Sequence, residues 1–312
     1  SLLNSLSNSN LLINGDFQVW QRGTSFNYNG TNNSNIYTAD RWRLIQGGEG
    51  ATANILKTSE IEENTLTISG FIKPSGIEMA LSQKLDYPLQ KEDGKSYTLS
   101  LLYSSTLNSE LCIREYDTND ILGRIAMPSS VSISRVSFTF DSSRLSKKNN
   151  RVEIYISFGS EETYDNDQIN LSNIKLEVGS VATPFVPRPY GEELALCKRY
   201  FERIGNYRSN ILGDVGFSIP NSQILKTILH YSSKRVLPTI NLSVLSNYRV
   251  YYENTGVMTS SLLNEINIRE VMDNCASLVL HPTNPCDAQA YFQLQRQDDS
   301  TSAWIDVDAE IY

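Results

Sequence analysis

Alternation of apolar and polar residues dominates the chain from about residue 51 to 180. Leu99, Leu101 and Tyr103, for example, fall on one face of a predicted strand. Between Ile133 and Val136 the phase of the alternation slips by one residue, which predicts a β-bulge. Many short strands separated by polar turns are typical of a β-sandwich or jelly roll.

A proline-rich segment, residues 183–189, interrupts this pattern and predicts a stiff, extended connector. Helical periodicity follows from Gly191 to about residue 204, with Gly205 as the expected stop. The apolar stripe of this helix is broader than one contact requires, which favours an interface between copies of the chain. A helix buried within one chain is the alternative. The candidate interface residues are Leu194, Leu196, Tyr200 and Phe201.

Strand patterns return in the last third of the chain, most clearly at residues 239–244, 276–280, 288–294 and 303–311. Residues 276–280 and 288–294 are predicted to form one hairpin. Cys275 and Cys286 would then start neighbouring antiparallel strands and lie too far apart for a disulfide. We therefore expect all four cysteines to be reduced.

These patterns predict an all-β protein with an N-terminal jelly-roll β-sandwich, a short linking α-helix and a C-terminal β-sandwich. Residues 1–10 are expected to be a linker or the truncated end of a longer chain. Residues 11–186 form the predicted jelly roll, residues 187–205 the linker and helix, and residues 206–312 the terminal domain. A length of 312 residues also favours two domains over one.

The net charge of the chain makes some classes of binding partner unfavourable. A formal charge of −8 disfavours binding to nucleic acid and to anionic lipid surfaces. No apolar run approaches the length of a membrane span, so membrane insertion is not expected. The spacing of cysteines and histidines matches no metal-site motif, and no cofactor is expected.

Catalytic chemistry has few candidates in this sequence. His230 and His281 lie beside no nucleophile motif, and no phosphate-binding loop is present. Asp306, Asp308 and Glu310 alternate along the last predicted strand, at a spacing compatible with an inverting glycosidase. An acidic, solvated strand face is the simpler interpretation. We therefore expect no enzyme, with a polysaccharide depolymerase as an alternative.

Sugar binding requires aromatic faces beside hydrogen-bonding side chains. The chain has 17 tyrosines, set among asparagine, serine and glutamine. Each tyrosine can also serve simply as strand packing. The candidate carbohydrate-binding residues are Tyr103, Arg114, Tyr116, Tyr248, Arg249, Tyr251, Tyr252, Asn254 and Trp304.

Several segments resemble a domain pair found in bacteriophage and prophage tail-fibre proteins. Residues 10–26 (NLLINGDFQVWQRGTSF) and 37–42 (YTADRW) resemble the opening of the first domain, and residues 173–185 (NIKLEVGSVATPF) resemble its end. Residues 187–202 (PRPYGEELALCKRYFE) resemble the passage into the terminal domain. Within that domain the matching segments are 235–239 (RVLPT) and 304–310 (WIDVDAE).

This resemblance implies a jelly roll similar to carbohydrate-binding modules, followed by a terminal β-sandwich and a homotrimer. It also implies a location on the virion tail fibre, after synthesis in the host cytoplasm. The expected partners are host cell-surface glycans and other tail-fibre or baseplate proteins. Such modules often hold a structural calcium ion near the segment that contains Asp16, but Gln18 replaces the usual carboxylate here. A purely structural fibre-tip or trimerisation unit is the alternative to adhesion.

Overall fold

Alternating side chains along the strands generate two hydrophobic cores, one in each of two units. One unit ends at Cys197 and the other runs from Lys198 to Glu310. The computed structural model describes residues 7–29, 35–46, 50–72, 74–77, 79–91, 94–146, 150–158, 166–205, 212–217, 224–254, 257–284, 291–296 and 303–310.

The first unit is a sandwich of two six-stranded antiparallel sheets. In spatial order, the first sheet contains β1 (Ser25–Tyr28), β4 (Thr52–Thr58), β5 (Thr65–Ile72), β12 (Gln168–Val178), β7 (Ser96–Ser105) and β10 (Ser130–Asp141). The second sheet contains β2 (Ile36–Tyr37), β3 (Arg43–Gln46), β6 (Met79–Lys84), β11 (Val152–Ser157), β8 (Ser109–Glu115) and β9 (Ile121–Met127).

Side chains from both sheets meet in the core of this sandwich. The core cluster contains Leu99 and Leu101 of β7 together with Ile154 and Ile156 of β11, all fully buried or nearly so. Burying one such side chain contributes about 1.5–3 kcal/mol. The predicted bulge is confirmed, because the pairing of β10 with β7 shifts register between Ser130 and Ser134.

The second unit is also a sandwich, with sheets of three and six strands. The smaller sheet contains β13 (Phe201–Gly205), β21 (Trp304–Asp308) and β16 (Thr239–Leu242). The larger sheet contains β14 (Gly216–Phe217), β20 (Tyr291–Arg296), β17 (Tyr248–Asn254), β18 (Val257–Arg269), β19 (Cys275–Pro282) and β15 (Leu225–His230). Ile305 and Val307 of the smaller sheet join Val250 and Leu278 of the larger one in a single core.

The all-β prediction is therefore confirmed. Among the described residues the other regular elements are one α-helix, α1 (Tyr190–Lys198), and two short 3-10 turns. The predicted extent of the helix was wrong, because residues Phe201–Gly205 form β13 and pair with β21. The predicted hairpin was also wrong: β19 pairs with β15 and β18, whereas β20 pairs with β14 and β17.

A turn at Asn14 ties the start of the described chain to the first unit. Asn14 has a left-handed backbone (φ 56°), and its side chain exchanges hydrogen bonds with the backbone of Val19. A Cβ on Gly15 would lie 2.1 Å from the carbonyl oxygen of Ile174, so only glycine fits there. The Asn14 backbone N–H donates to Glu193 of α1 at 2.6 Å.

The proline-rich connector also binds the first unit. Arg188 donates to the Glu193 carboxylate at 2.9 Å and to the Leu12 carbonyl at 3.1 Å. Pro184 accepts a hydrogen bond from the buried Lys175 ammonium at 3.0 Å. The connector and α1 up to Cys197 therefore belong to the first unit.

Three of the four cysteines, Cys112, Cys197 and Cys275, are free thiols, and Cys286 lies outside the described residues. No helix in the described ranges is long and apolar enough to cross a membrane.

Candidate functional site

Three of the predicted sugar-binding tyrosines lie in cores and cannot contact a ligand. Tyr103 is 2% exposed and donates to the Pro128 carbonyl at 3.0 Å. Tyr248 is buried and donates to the Trp304 carbonyl at 2.5 Å, and Tyr252 is buried in the same core. Strand alternation explains this, because these side chains point inward from β7 and β17. The side chain of Asn254 lies outside the described residues.

The interface prediction is corrected for Tyr200 and Phe201. Both side chains are already buried within one chain. The Arg235 guanidinium lies 5.7 Å from the centre of the Tyr200 ring, and Arg203 lies 5.9 Å from that of Phe201. Leu194 and Leu196 on α1 are half-buried, and their role as interface residues stays a prediction.

Arg114 belongs to a charged network on the outer face of the second sheet of the first unit. Glu153 lies at its centre and accepts hydrogen bonds from Arg43 at 3.2 Å and Arg114 at 2.7 Å. The Arg114 guanidinium also covers the ring of Tyr155, 4.4 Å from its centre. Burial on its own would lower the pKa of Arg114, but the Glu153 charge and hydrogen bond raise it.

Tyr116 lies beside this network and is covered by cations. The Lys84 ammonium lies 3.9 Å from its ring centre and the Arg151 guanidinium 5.3 Å. Burial, followed by the neighbouring Arg43 charge, lowers the pKa of Lys84. The polar groups and aromatic faces of this region thus bind mainly to one another.

Trp304 and the acidic row of the last strand (Asp306, Asp308 and Glu310) also contact other groups of the protein. Arg203 lies opposite Asp306 in the pairing of β13 with β21 and binds its carboxylate at 2.6 and 2.7 Å. The same guanidinium lies 4.4 Å from the centre of the Trp304 ring. Asp308 accepts a hydrogen bond from the backbone N–H of Glu310 at 2.9 Å. Asp306 and Asp308 therefore hold structural contacts.

Arg249 and Tyr251 are placed differently, on the outer face of the larger sheet of the second unit. Their neighbours Tyr248, Val250 and Tyr252 point into the core, so alternation turns Arg249 and Tyr251 outward. The register places Gln295 and Leu262 on either side of Arg249, and Gln293 and Ser260 on either side of Tyr251. We call these six residues, Arg249, Tyr251, Ser260, Leu262, Gln293 and Gln295, the Arg249 face.

Hydrogen bonding on the Arg249 face is incomplete. Arg249 donates to the Ser260 hydroxyl at 3.2 Å, and Gln295 donates to the Gln293 side-chain oxygen at 3.0 Å. The Nε–H of Arg249 is buried and has no hydrogen-bond partner among the described residues. Strand β20, which carries both glutamines, extends the same surface to Tyr291, whose side chain is 70% exposed. The face thus presents arginine, serine and glutamine side chains beside a tyrosine ring.

Sequence reasoning missed Gln293, Gln295 and Ser260. A signal for the glutamines was present, because the predicted strand 288–294 contains Phe292 and Leu294 at alternate positions. Those apolar residues are buried, and alternation then places Gln293 and Gln295 on the opposite face. Ser260 could not be placed, since its relation to Tyr251 depends on strand register.

The residues around Asp16 do not fit a calcium ion. Gln18 presents its side-chain NH₂ group, not its oxygen, to the Asp16 carboxylate at 3.2 Å. Within the described parts of the chain, no group of three or more His, Cys, Asp or Glu side chains could hold a metal ion.

Comparison with known proteins gives only distant similarity. No protein-family model matches the chain, and no curated protein matches it. Many solved structures are similar to part of it, including the following three.

An arabinose-bound MgGH51 α-L-arabinofuranosidase is 14% identical, with a TM-score of 0.39 over 55% of this chain and 26% of the other. An enzymatically active domain of bacteriophage CBA120 tailspike protein 4 is 16% identical, with a TM-score of 0.35 over 55% of this chain and 21% of the other. A family 11 carbohydrate-binding module from Clostridium thermocellum is 12% identical, with a TM-score of 0.32 over 51% and 97%. The chain thus spans about a quarter or less of the length of the first two proteins. Similarity at this level carries no argument about function.

Proposed function

We propose that this chain is a non-enzymatic adhesion protein that binds carbohydrate on the surface of a host cell, as the receptor-binding part of a phage or prophage tail fibre. The Arg249 face is the observation that carries the binding proposal. The tail-fibre assignment rests on the ordered resemblance of the segments between residues 10 and 310.

The chemistry of the Arg249 face suits a sugar. A tyrosine ring stacks on the C–H face of a pyranose, while guanidinium and amide groups bind its hydroxyls. The Arg249 guanidinium and the two glutamine amides carry hydrogen-bond donors and acceptors on one sheet face. A hydroxyl pair that bridged Arg249 and Gln295 would bind a guanidinium and an amide at the same time.

The absence of catalysis in this proposal is supported by the state of the acidic row. A glycosidase needs one carboxylate as an acid and another as a base or nucleophile. Asp306 is held by both N–H groups of the Arg203 fork, and Asp308 is bonded to the backbone of Glu310. Such carboxylates are poorly placed to exchange protons with a substrate.

Assembly into a homotrimer, contact with other tail-fibre or baseplate proteins and location on the virion complete the proposal. A trimer would repeat a weak site three times and raise avidity on a repetitive glycan surface. The mass of the purified protein, measured by light scattering, tests this part. A monomer at micromolar concentration would contradict it.

A glycan array with the purified chain and its Arg249→Ala variant tests the binding proposal. We expect wild-type protein to bind host capsule, lipopolysaccharide or teichoic-type oligosaccharides, and Arg249→Ala to lose roughly tenfold or more in affinity. Arg269→Ala is the matched control, because Arg269 is an exposed arginine on β18 outside the Arg249 face. Equal binding by wild type and Arg249→Ala would refute the site.

An activity assay separates adhesion from the depolymerase alternative. The proposal predicts that no reducing ends appear when the protein is incubated with a polysaccharide that it binds. Release of sugar by wild type, lost in Asp308→Asn, would establish the enzyme instead.

A further inference from the structure

The charge of Arg249 is not balanced by a carboxylate, in contrast to that of Arg203 in the same unit. Arg203 binds the Asp306 carboxylate at 2.6 Å, whereas Arg249 donates to the neutral Ser260 hydroxyl at 3.2 Å. Arg249 forms no ion pair with any residue that the structure describes. Its positive charge is therefore available to a ligand.

Strand register explains why no carboxylate of the protein lies beside this charge. Leu262 of β18 and Gln295 of β20 flank Arg249 directly, and neither can ionise. None of the other five residues of the Arg249 face carries a carboxylate. Glu265 lies further along β18, with its carboxylate 3.8 Å from the Nε2 atom of His281. The face thus presents one cation among neutral groups.

Partial burial makes an anion favourable next to Arg249. The side chain is half-buried, and its Nε–H is buried without a partner. Because the positive charge is shared over the whole guanidinium, an anion bound at the Nη end offsets part of the cost of burying it without contacting Nε. The apolar side chain of Leu262, directly beside Arg249, lowers the local dielectric and strengthens such a pair.

A carboxylate is the anion that suits this position best. The N–H groups of a guanidinium match the two oxygens of a planar carboxylate. One arginine also balances the single charge of a carboxylate, whereas a phosphate monoester carries about −1.5 to −2 at neutral pH. Tyr251 and Gln293 are paired across β17 and β20 on the same face, so a sugar ring that carries the carboxylate would meet an aromatic ring and an amide.

The net charge of −8 opposes an acidic ligand only at long range. At physiological ionic strength the screening length is about 8 Å, so exposed charges further away contribute little. A carboxylate in contact with Arg249 lies well within that length. The local charge of the face therefore outweighs the charge of the whole chain.

We propose that the Arg249 face binds an acidic sugar, with a hexuronate-type carboxylate on the Arg249 guanidinium, the ring on Tyr251 and its hydroxyls on Gln293 and Gln295. This inference rests on the proposed function, because it specifies the class of sugar that the same face recognises.

A glycan array that carries uronate oligosaccharides beside their carboxyl-reduced counterparts tests the proposal with the full chain. Oligomers of glucuronate, galacturonate and mannuronate supply the carboxylate, and reduction turns it into a neutral hydroxymethyl group on the same ring. We expect the wild-type protein to bind at least one acidic form roughly tenfold or more tightly than its reduced partner, since a charged hydrogen bond is lost. A glycerol-phosphate oligomer of the teichoic type is included as the phosphate ligand.

Variants at position 249 locate the preference. Arg249→Gln removes the charge and should bring the acidic and reduced forms to within about twofold of each other. Arg249→Lys keeps the charge but loses the planar fork, and should retain a preference of roughly two- to fivefold. Arg269→Gln, at an exposed arginine of β18 outside the Arg249 face, is the matched control and should keep the full preference.

Equal affinity of the wild type for acidic and reduced oligosaccharides would overturn the proposal. An acid preference that persists in Arg249→Gln, or tighter binding to the phosphate oligomer than to every uronate, would also overturn it. The comparison of ligands uses wild-type protein alone, so it decides even if a variant fails to fold. Neutral glycans that bind equally well and are lost in Arg249→Ala would refute the acidic sugar and uphold the proposed function. No glycan binding by the wild type would refute both.

Discussion

Two outer sheet faces, one in each unit, use the same residue types in opposite ways. On the first unit, the arginines Arg43 and Arg114 converge on Glu153, and cations cover the neighbouring tyrosine rings. On the second unit, Arg249 faces serine and glutamine, and its Nε–H is unsatisfied among the described residues. Arginine and tyrosine on a strand face therefore do not define a binding surface. What distinguishes the two faces is whether an acidic side chain of the protein already binds the arginine.

The largest effect is expected when the centre of the closed network is removed. Glu153→Ala would remove the carboxylate that binds both Arg43 and Arg114. Breaking a buried ion pair in this way costs about 3–5 kcal/mol. Urea unfolding of the purified protein, followed by tryptophan fluorescence, measures the change. A loss below about 1 kcal/mol, the value of an exposed pair, would show that the network contributes little.

Exchanging the two arginines for alanine tests the comparison directly. Arg114→Ala should lower the free energy of unfolding by roughly 1.5–3 kcal/mol, since charged hydrogen bonds to Glu153 are lost, and should leave glycan affinity unchanged. For Arg249→Ala we expect the reverse: weaker glycan binding and a stability change within about 0.5 kcal/mol. Loss of glycan binding in Arg114→Ala would place the binding surface on the first unit instead.

Two tyrosines of β17 allow a core position and a surface position of one strand to be compared. Tyr248→Phe removes a hydroxyl that donates to Trp304 and accepts from Ser243, and should cost about 1–3 kcal/mol. Tyr251→Phe, on the outer face, should change stability by less than about 0.5 kcal/mol. Thermal unfolding of both variants provides the measurement. Similar losses in the two variants would contradict the assignment of Tyr251 to the surface.

The smallest effect is expected at the glutamines of the Arg249 face. Gln293→Ala removes one neutral hydrogen-bonding group and should weaken glycan binding by roughly two- to tenfold. Stability should be unchanged, since Gln293 points away from the core. The exposed Asn264 of β18 serves as a control position for an alanine substitution. An unaltered affinity in Gln293→Ala would restrict the site to Arg249 and Tyr251.

Strand periodicity predicted much of the fold, because each strand carries its own inside and outside. The alternation at Leu99, Leu101 and Tyr103 and the bulge in β10 are both present. The predicted C-terminal end of the helix was wrong because of a long-range contact. Phe201 and Ile204 continue the helical spacing of α1, but they pair with Asp308 and Ile305, about a hundred residues away. Pairing with a distant strand overrides local helical periodicity there.

Gly205 shows how one residue supports two interpretations. Glycine after an amphipathic run predicts a helix end. In the structure it ends β13 with φ +90°, and a Cβ there would lie 2.6 Å from the Ala303 carbonyl oxygen. Its conformational freedom is thus needed for close strand approach. The site was equally hard to predict, since Tyr251 differs from Tyr248 and Tyr252 only in the side of strand β17 on which it lies.

The contacts of Glu193 have a mechanical consequence. This carboxylate binds the Asn14 backbone N–H and the Arg188 guanidinium, so it joins the chain that enters the first unit to the chain that leaves it. Asn10 and Leu11, which precede Asn14, also bind strand β12 directly. A pulling force applied on both sides of the unit would therefore be shared between the contacts of Glu193 and strand β12 of the first sheet at the same time.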